Sequence, residues 1–450
     1  MRRISVNYLL LTLGVLLNFS SANASTIVPL QEDVSFTSSE ANEFVTSGDL
    51  LTLHAVNAAG ISYNEFSTFS VSGPTLKLIN IPTFDNDSNR VEAPNLIVIK
   101  ADNISLNGRI ELAGAPADIL FISNTSNGVV SCTDCELARF SRATLAVATA
   151  SNTLDDTMTA VGELQTQASG VVSINNLDAP GIYHLEVLAN TFNNSGTLDI
   201  NLPINEQRQP DLNGNLTLGA GAIDAYLGDM KWSYESQSIK DLTPTDTLQL
   251  IGANFNGVGI KISTSGQLNV TGNLNTKVDV LSASVYKGVD RLPTENITLQ
   301  AFGASDIING SGTTTAANSK SFLAGNLDTS GSLVVRVNSG LELKSGSSKI
   351  SAGYQEYAVT GSLYNYRDLF AHNIKMAAKN IVNQATIEVG SKLEIYADKN
   401  LINHFGGRLL GDAVVLQSDN GFIRNGSRTP YLSNVESEGL LNYYSDDLKL

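Results

Sequence analysis

Through most of this chain apolar and polar residues alternate one by one in short runs, and each run ends in Asn or Gly. The segments "NLIVIKADNISLNG" (Asn95 to Gly108), "HLEVLANTFNNSG" (His184 to Gly196), "TLQLIGANFNGVG" (Thr247 to Gly259) and "NITLQAFGASDIING" (Asn296 to Gly310) share one form. Each gives a short alternating strand, a small residue, a polar corner, one or two more apolar residues and a turn. Period-two alternation predicts half-buried strands, and Asn and Gly supply the backbone angles that sharp corners need. The clearest copies are "IKMAAKNIVNQATIEVGS" (Ile374 to Ser391), "LEIYADKNLINHFGGRLLGD" (Leu393 to Asp412) and "VVLQSDNGFIRNGSRTPY" (Val414 to Tyr431), in which Asn383, Asn403 and Asn425 hold equivalent corner positions.

Those asparagines recur about every 21 residues, the length of one solenoid turn. The L-x-x-L-x-L-x-x-N frame of leucine-rich repeats is missing, and each unit carries two or three strands. The pattern therefore predicts an all-β protein built as a right-handed parallel β-helix, with apolar residues stacked inside and Asn side chains bonded along the rod. From Gly60 to Asn425 that period gives about 17 turns. Thr26 to Ala59 is the expected N-terminal β cap, because an open end leaves backbone groups unpaired. In "NTLDDTMTAVGELQTQASG" (Asn152 to Gly170), Leu154, Met158, Val161 and Leu164 fall near helical spacing. A short helix and a hairpin excursion both fit, and the excursion is preferred. "NEQRQPDLNGN" (Asn205 to Asn215) reads as a loop.

Composition narrows the setting. At 42% hydrophobic and 16% charged the chain is not disordered by composition. The opening "MRRISVNYLLLTLGVLLNFSSANAS" has Arg2 and Arg3, an apolar run from Tyr8 to Phe19 and an Ala22-Asn23-Ala24 site. This is a secretory signal peptide over residues 1–24, too short to span a bilayer. Loss of Arg2 and Arg3 lowers the net charge of −16 by two, to −18. So acidic a surface argues against nucleic acid or an anionic membrane as the main partner.

Export places the two cysteines, Cys132 and Cys135, in an oxidising compartment. A structural zinc site wants four ligands, and no second pair or neighbouring His stands in the sequence. A redox pair wants a βαβ context, which is absent. A small-loop disulfide is the preferred reading. His54, His184, His372 and His404 are dispersed, and each reads as a structural residue. Asp155, Asp156, Glu163 and Asp178 form no repeat-locked group. The sequence thus predicts no catalytic residues, no metal and no cofactor. Trp232, the single tryptophan, reads as a packing residue.

Several further stretches carry a resemblance. "GISYNEFSTFSV" (Gly60 to Val71), "GRIELAGAPADILFIS" (Gly108 to Ser123), "SNGVVSCTDC" (Ser126 to Cys135) and "SRATLAVA" (Ser141 to Ala148) stand in the order of the N-terminal secretion domain of the filamentous haemagglutinin family, the exoproteins of two-partner secretion. The resemblance covers residues from about 30 to 240, and the later repeats resemble the β-helical extension of the same family. It departs at the family's N-P-N-G-I, here Thr125-Ser126-Asn127-Gly128-Val129. The family's C-G-F-I-N after the cysteine pair is here "CELARF".

The resemblance implies export across the outer membrane of a Gram-negative bacterium. The implied partner is a dedicated β-barrel transporter with periplasmic substrate-binding domains, and the chain would fold as it emerges. It implies a turn at Asn127 and Gly128 that the transporter recognises, stapled by Cys132 and Cys135. For Arg142 the preferred reading is a solvated strand residue. The expected division is 1–24 signal peptide, 25–240 secretion domain, 241–431 β-helix extension and 432–450 tail. The expected role is that of a non-catalytic surface adhesin, secreted or held at the cell surface, with a host or bacterial receptor. The stalk of a contact-dependent inhibition toxin, a haemolysin and a polysaccharide-degrading β-helix enzyme are the alternatives.

Overall fold

The computed structural model describes residues 25–37, 48–73, 75–84, 90–179, 182, 184–200, 222–245, 250–251, 254–256, 259–276, 296–302, 320–346, 350–404, 406–425, 435–444 and 447–449. The expected signal peptide (1–24) and the expected loop at 205–215 lie outside the described residues. Among the described residues every regular element is a strand, so the protein is all-β.

Three ladders of parallel strands carry the fold. The first begins in Ile61–Val71 and passes through Leu96–Ala101, Asp118–Ser123, Arg142–Ala150, His184–Ala189, Ala222–Leu227, Gly259–Thr264, Asn296–Ala301 and Ser332–Val337. It continues through Ile350–Val359, Leu369–Ala378, Lys392–Ala397 and Arg408–Ser418 to Val435–Tyr444. Between visits the chain adds a strand to a second ladder, such as Ser362–Asn365, Asn380–Asn383, Leu401–Asn403 and Phe422–Asn425. It then adds one to a third. Long strands serve two ladders: Leu369–Ala378 pairs by its first residues in the third and by its last in the first.

Register explains the core. Ile97, Ile119, Ala143, Leu185, Ile223, Ile260, Ile297 and Leu333 are successive partners in the first ladder, and all are buried. Because the side-chain period is two, one inward apolar residue fixes the facing of its whole strand. One continuous apolar cluster runs from Ile27 to Ile423, through the sequence boundary at 240. At the N-terminal end Ser62 and Asn64 stand in register with Ile97 and Ile99. Asn64 Nδ2 donates to Ser62 O at 3.1 Å and Val98 O at 3.3 Å, and its Oδ1 accepts from His54 N at 2.8 Å. These polar groups are satisfied against the segment that precedes the ladder, and Thr26–Pro29 pairs antiparallel with the end of Ile61–Val71.

Two expectations are corrected. The first ladder holds fourteen strands among the described residues, fewer than the expected turns. Rungs of 393 − 374 = 19 and 414 − 393 = 21 residues run from Ile374 through Leu393 to Val414, whereas the chain leaves the ladder for a long detour between Ala150 and His184. Val435–Tyr444 does not stand apart as a tail: it pairs in parallel with Leu409–Gln417 and adds a further rung.

Candidate functional site

The chain leaves the first ladder at Ser123 and turns at once. Gly128 N donates to Thr125 O at 3.0 Å, closing a β-turn over Thr125-Ser126-Asn127-Gly128. Ser126 and Asn127 are exposed at its tip, and Gly128 is buried. A Cβ at Gly128 would lie 2.0 Å from Ser123 Oγ, so packing alone requires glycine there. The next turn of chain repeats the device: Gly170 N donates to Gln167 O at 2.9 Å, and a Cβ at Gly170 would lie 2.5 Å from Val147 Cγ1. Ser123 and Val147 are register partners.

The disulfide joins Cys132 and Cys135, both buried, at a different corner. Within Val129–Ala138, Cys132 pairs with Leu106 and Cys135 with Gly108, so one extra residue bulges between the second and third ladders. Left-handed residues stack there: Gly108 (φ 103°), Asp134 (φ 49°) and Asn176 (φ 63°). Asn176 Nδ2 donates to Asp134 Oδ1 at 2.7 Å. Asn127-Gly128 and the cysteines therefore mark the two ends of one strand of the second ladder. The disulfide staples the far corner and not the turn at Asn127.

Asn383, Asn403 and Asn425 lie in register in the second ladder, with Asn365 before them. Asn365 Nδ2 donates to Asn383 Oδ1 (2.7 Å), Asn383 Nδ2 to Asn403 Oδ1 (2.8 Å) and Asn403 Nδ2 to Asn425 Oδ1 (2.8 Å). The amides also cap their own corners, Asn383 Nδ2 donating to Ala385 O and Asn403 Nδ2 to Gly407 O. Asn365, Asn383 and Asn403 are buried, where an unmet amide would be costly. Asn365, in "SLYNYRDLF", was not singled out by the repeat.

A second apolar core lies outside the ladders. Residues 151–166 and 228–243 leave the first ladder and form a small antiparallel sheet. Glu163–Thr166 pairs with Ala148–Ala150 on one side and Met230–Ser233 on the other, and Met230–Ser233 pairs with Ser238–Leu242. This sheet covers the outer face of the first ladder, closing Met158, Val161, Leu164, Met230, Trp232 and Tyr234 over Val98, Leu120, Ile122, Ala146 and Leu188. The near-helical spacing of Leu154 to Leu164 belongs to a turn-rich loop whose apolar side chains all reach that face.

Arg142 lies beneath this sheet, which overturns its reading as a solvated residue. It is 8% exposed, and its Nε and Nη2 donate to Glu186 Oε2 at 2.8 and 2.6 Å. Nη2 also donates to Tyr234 O at 3.1 Å, and the guanidinium stands 4.0 Å from the Tyr234 ring centroid and 5.6 Å from that of Trp232. Thr144 Oγ1 donates to the same Glu186 Oε2 at 2.7 Å. His184 sits between two carboxylates, its Nε2 3.3 Å from Asp224 Oδ2 and its Nδ1 3.7 Å from Glu186 Oε1. These are charge contacts without hydrogen-bond alignment. Burial draws the imidazole down, but Asp224 and Glu186 outweigh it and hold His184 above its ordinary value, with Arg142 opposing them. Burial is also the largest influence on Asp118, which it raises despite Arg142.

Asp155, Asp156 and Glu163 are exposed or half-exposed on the excursion. Among the described residues no group of three His, Cys, Asp or Glu side chains is arranged to hold a metal ion. No protein-family model matches the sequence, and no curated protein matches it significantly. Among solved structures, a filamentous hemagglutinin secretion domain aligns over 94% of this chain and 99% of its own, at 12% sequence identity and a TM-score of 0.36.

Proposed function

We propose that the protein is a secreted, non-catalytic exoprotein of the two-partner type, a surface adhesin whose ladders close as a right-handed parallel β-helix. The observation that carries this reading is the first ladder: each strand pairs in parallel with the strand before it and the strand after it, in chain order, from Ile61 to Tyr444. A fold made by nearest-neighbour stacking can be laid down from one end. It needs no later segment to complete an earlier rung, which suits a chain that crosses a membrane unfolded and folds on the far side. The order of motifs from Gly60 to Ala148 supports the same reading, as does the signal-peptide pattern of residues 1–24.

On this reading a Gram-negative cell exports the chain through its periplasm to an outer-membrane transporter. Residues 25–240 serve as the export domain, the repeats to 431 extend the rod, and a host or bacterial surface receptor is the target. Gly128 is accounted for by packing in the folded protein, whereas Ser126 and Asn127 are exposed and answer no packing need there, which leaves their identity to recognition of the unfolded chain. The test is to mix urea-unfolded chain with the purified periplasmic domains of a two-partner transporter from the same bacterium, then dilute. The unfolded chain should be captured, the folded chain should not, and Asn127→Ala should weaken capture about tenfold while leaving the folded state's melting unchanged. Equal capture of wild type and an unrelated unfolded chain would remove the reading.

A further inference from the structure

We propose that residues 151–166 and 228–243 form a strap that opens and closes over the first ladder as a unit while the ladder stays paired, with Arg142 as its latch. The pairing pattern makes such an opening local. Met230–Ser233 and Ser238–Leu242 pair only with strap strands among the described residues. Glu163–Thr166 meets the ladder through three pairs at Ala148–Ala150. Those three residues lie beyond Ala143–Val147, which pair with Ile119–Ser123, so opening breaks none of the parallel pairs. The remaining polar ties are few: Asn57 Nδ2 donates to Asp156 O and Met158 O, Gly228 N to Ala189 O, and Asp229 N to Ser265 Oγ.

A hinge stands where the second strap segment begins: Gly228 (φ 93°) joins the ladder strand Ala222–Leu227 to the strap strand Met230–Ser233. Beyond it the strap is held by the apolar contacts under Trp232 and the contact of Arg142 with Tyr234.

Arg142 suits the role of latch because its ion-pair partner belongs to the ladder. Glu186 stays with it when the strap lifts, so opening rehydrates an intact pair and strands no charge. In the closed form Glu186 is fully buried, and its Oε1 makes no hydrogen bond. Water regained on opening offsets part of the apolar contact that is lost, which brings the open and closed forms closer in energy. Chain order adds a direction. Arg142, Glu186 and Asp224 precede Tyr234, so the ladder face is built before the strap can close on it. If the export reading holds, closure is the last step of this region's folding; the strap itself does not depend on that reading.

Trp232, the single tryptophan of the chain, is carried by the strap and fully buried against the ladder, so it reports closure directly. Native-state hydrogen exchange on the folded protein would follow strap amides (Gln165, Lys231, Trp232) and ladder amides (Val187, Leu188, Ala225), alongside acrylamide quenching of Trp232. The wild type should show strap amides exchanging at least about tenfold faster than ladder amides. Tyr234→Leu, which removes the latch ring and leaves Arg142–Glu186 in place, should speed strap exchange and Trp232 quenching about tenfold further and leave ladder amides unchanged. Strap and ladder amides exchanging at one common rate in the wild type would overturn the proposal, whether or not the variant folds. So would Tyr234→Leu raising both sets equally.

Discussion

His184 shows how a single side chain ties stability to pH. Its value is raised in the folded protein, so the stability it contributes is complete below its unfolded value of about 6.5 and is lost as pH rises through the folded value. Burial pushes Asp224 up, but the charge of His184 beside it, helped by Lys261 and the Tyr226 hydroxyl, outweighs burial and holds it low, so its share is present at neutral pH and lost on strong acidification. We predict that the urea midpoint followed by Trp232 fluorescence falls as pH is raised above 6.5, and that His184→Asn flattens this slope. A slope unchanged in the variant would assign the effect elsewhere. Asn403→Ala breaks one bond in each direction along a buried ladder and should cost about 1–3 kcal/mol, read from chemical denaturation. The asparagines were legible in sequence because Asn recurred at a fixed period. Arg142 was not: alternation places it outward, outward ordinarily means solvent, and the sheet that covers it comes from residues 228–243, far along the chain.

At the scale of elements, the disulfide and the excursion divide in the same way. Cys132 and Cys135 close a loop so short that the unfolded chain loses little freedom, and removing both as Cys132→Ala/Cys135→Ala should cost about 2 kcal/mol while the ladders persist. Chemical denaturation of the variant checks the size, and strand content by circular dichroism checks the persistence. The pair was legible as a stapled corner, but which corner was not. The extra residue between Cys132 and Cys135 becomes visible only against its partners Leu106 and Gly108. The excursion was legible as a break in alternation at Leu154 to Leu164. Its second half opens at Met230–Ser233, where Met230 and Trp232 alternate with Lys231 and Ser233 like any strand, and so hides in the pattern.

For the whole molecule, alternation and corner residues were enough to give strands and stacking, because both follow from the residues within one rung. The number of rungs was not legible, since detours between rungs have no fixed length. Stacking by nearest neighbours predicts that rungs can be removed whole. Ile374 and Leu393 are register partners, so deleting residues 374–392 joins equivalent points and should leave a folded protein with a slightly lower melting temperature. Deleting residues 374–383 alone shifts every later side chain out of phase and should prevent the distal part from folding. Limited proteolysis distinguishes the two.

On the proposed function, this stacked chain is exported by a dedicated partner and folds on emergence. The experiment is to express the full chain in a Gram-negative host with and without a two-partner transporter from the same bacterium, and to measure protease-resistant protein in the medium and periplasm. Export by a dedicated partner predicts release of resistant protein only when the transporter is present, with unfolded chain degraded in the periplasm when it is absent. Folded, resistant protein accumulating in the periplasm, or release independent of the transporter, would contradict it.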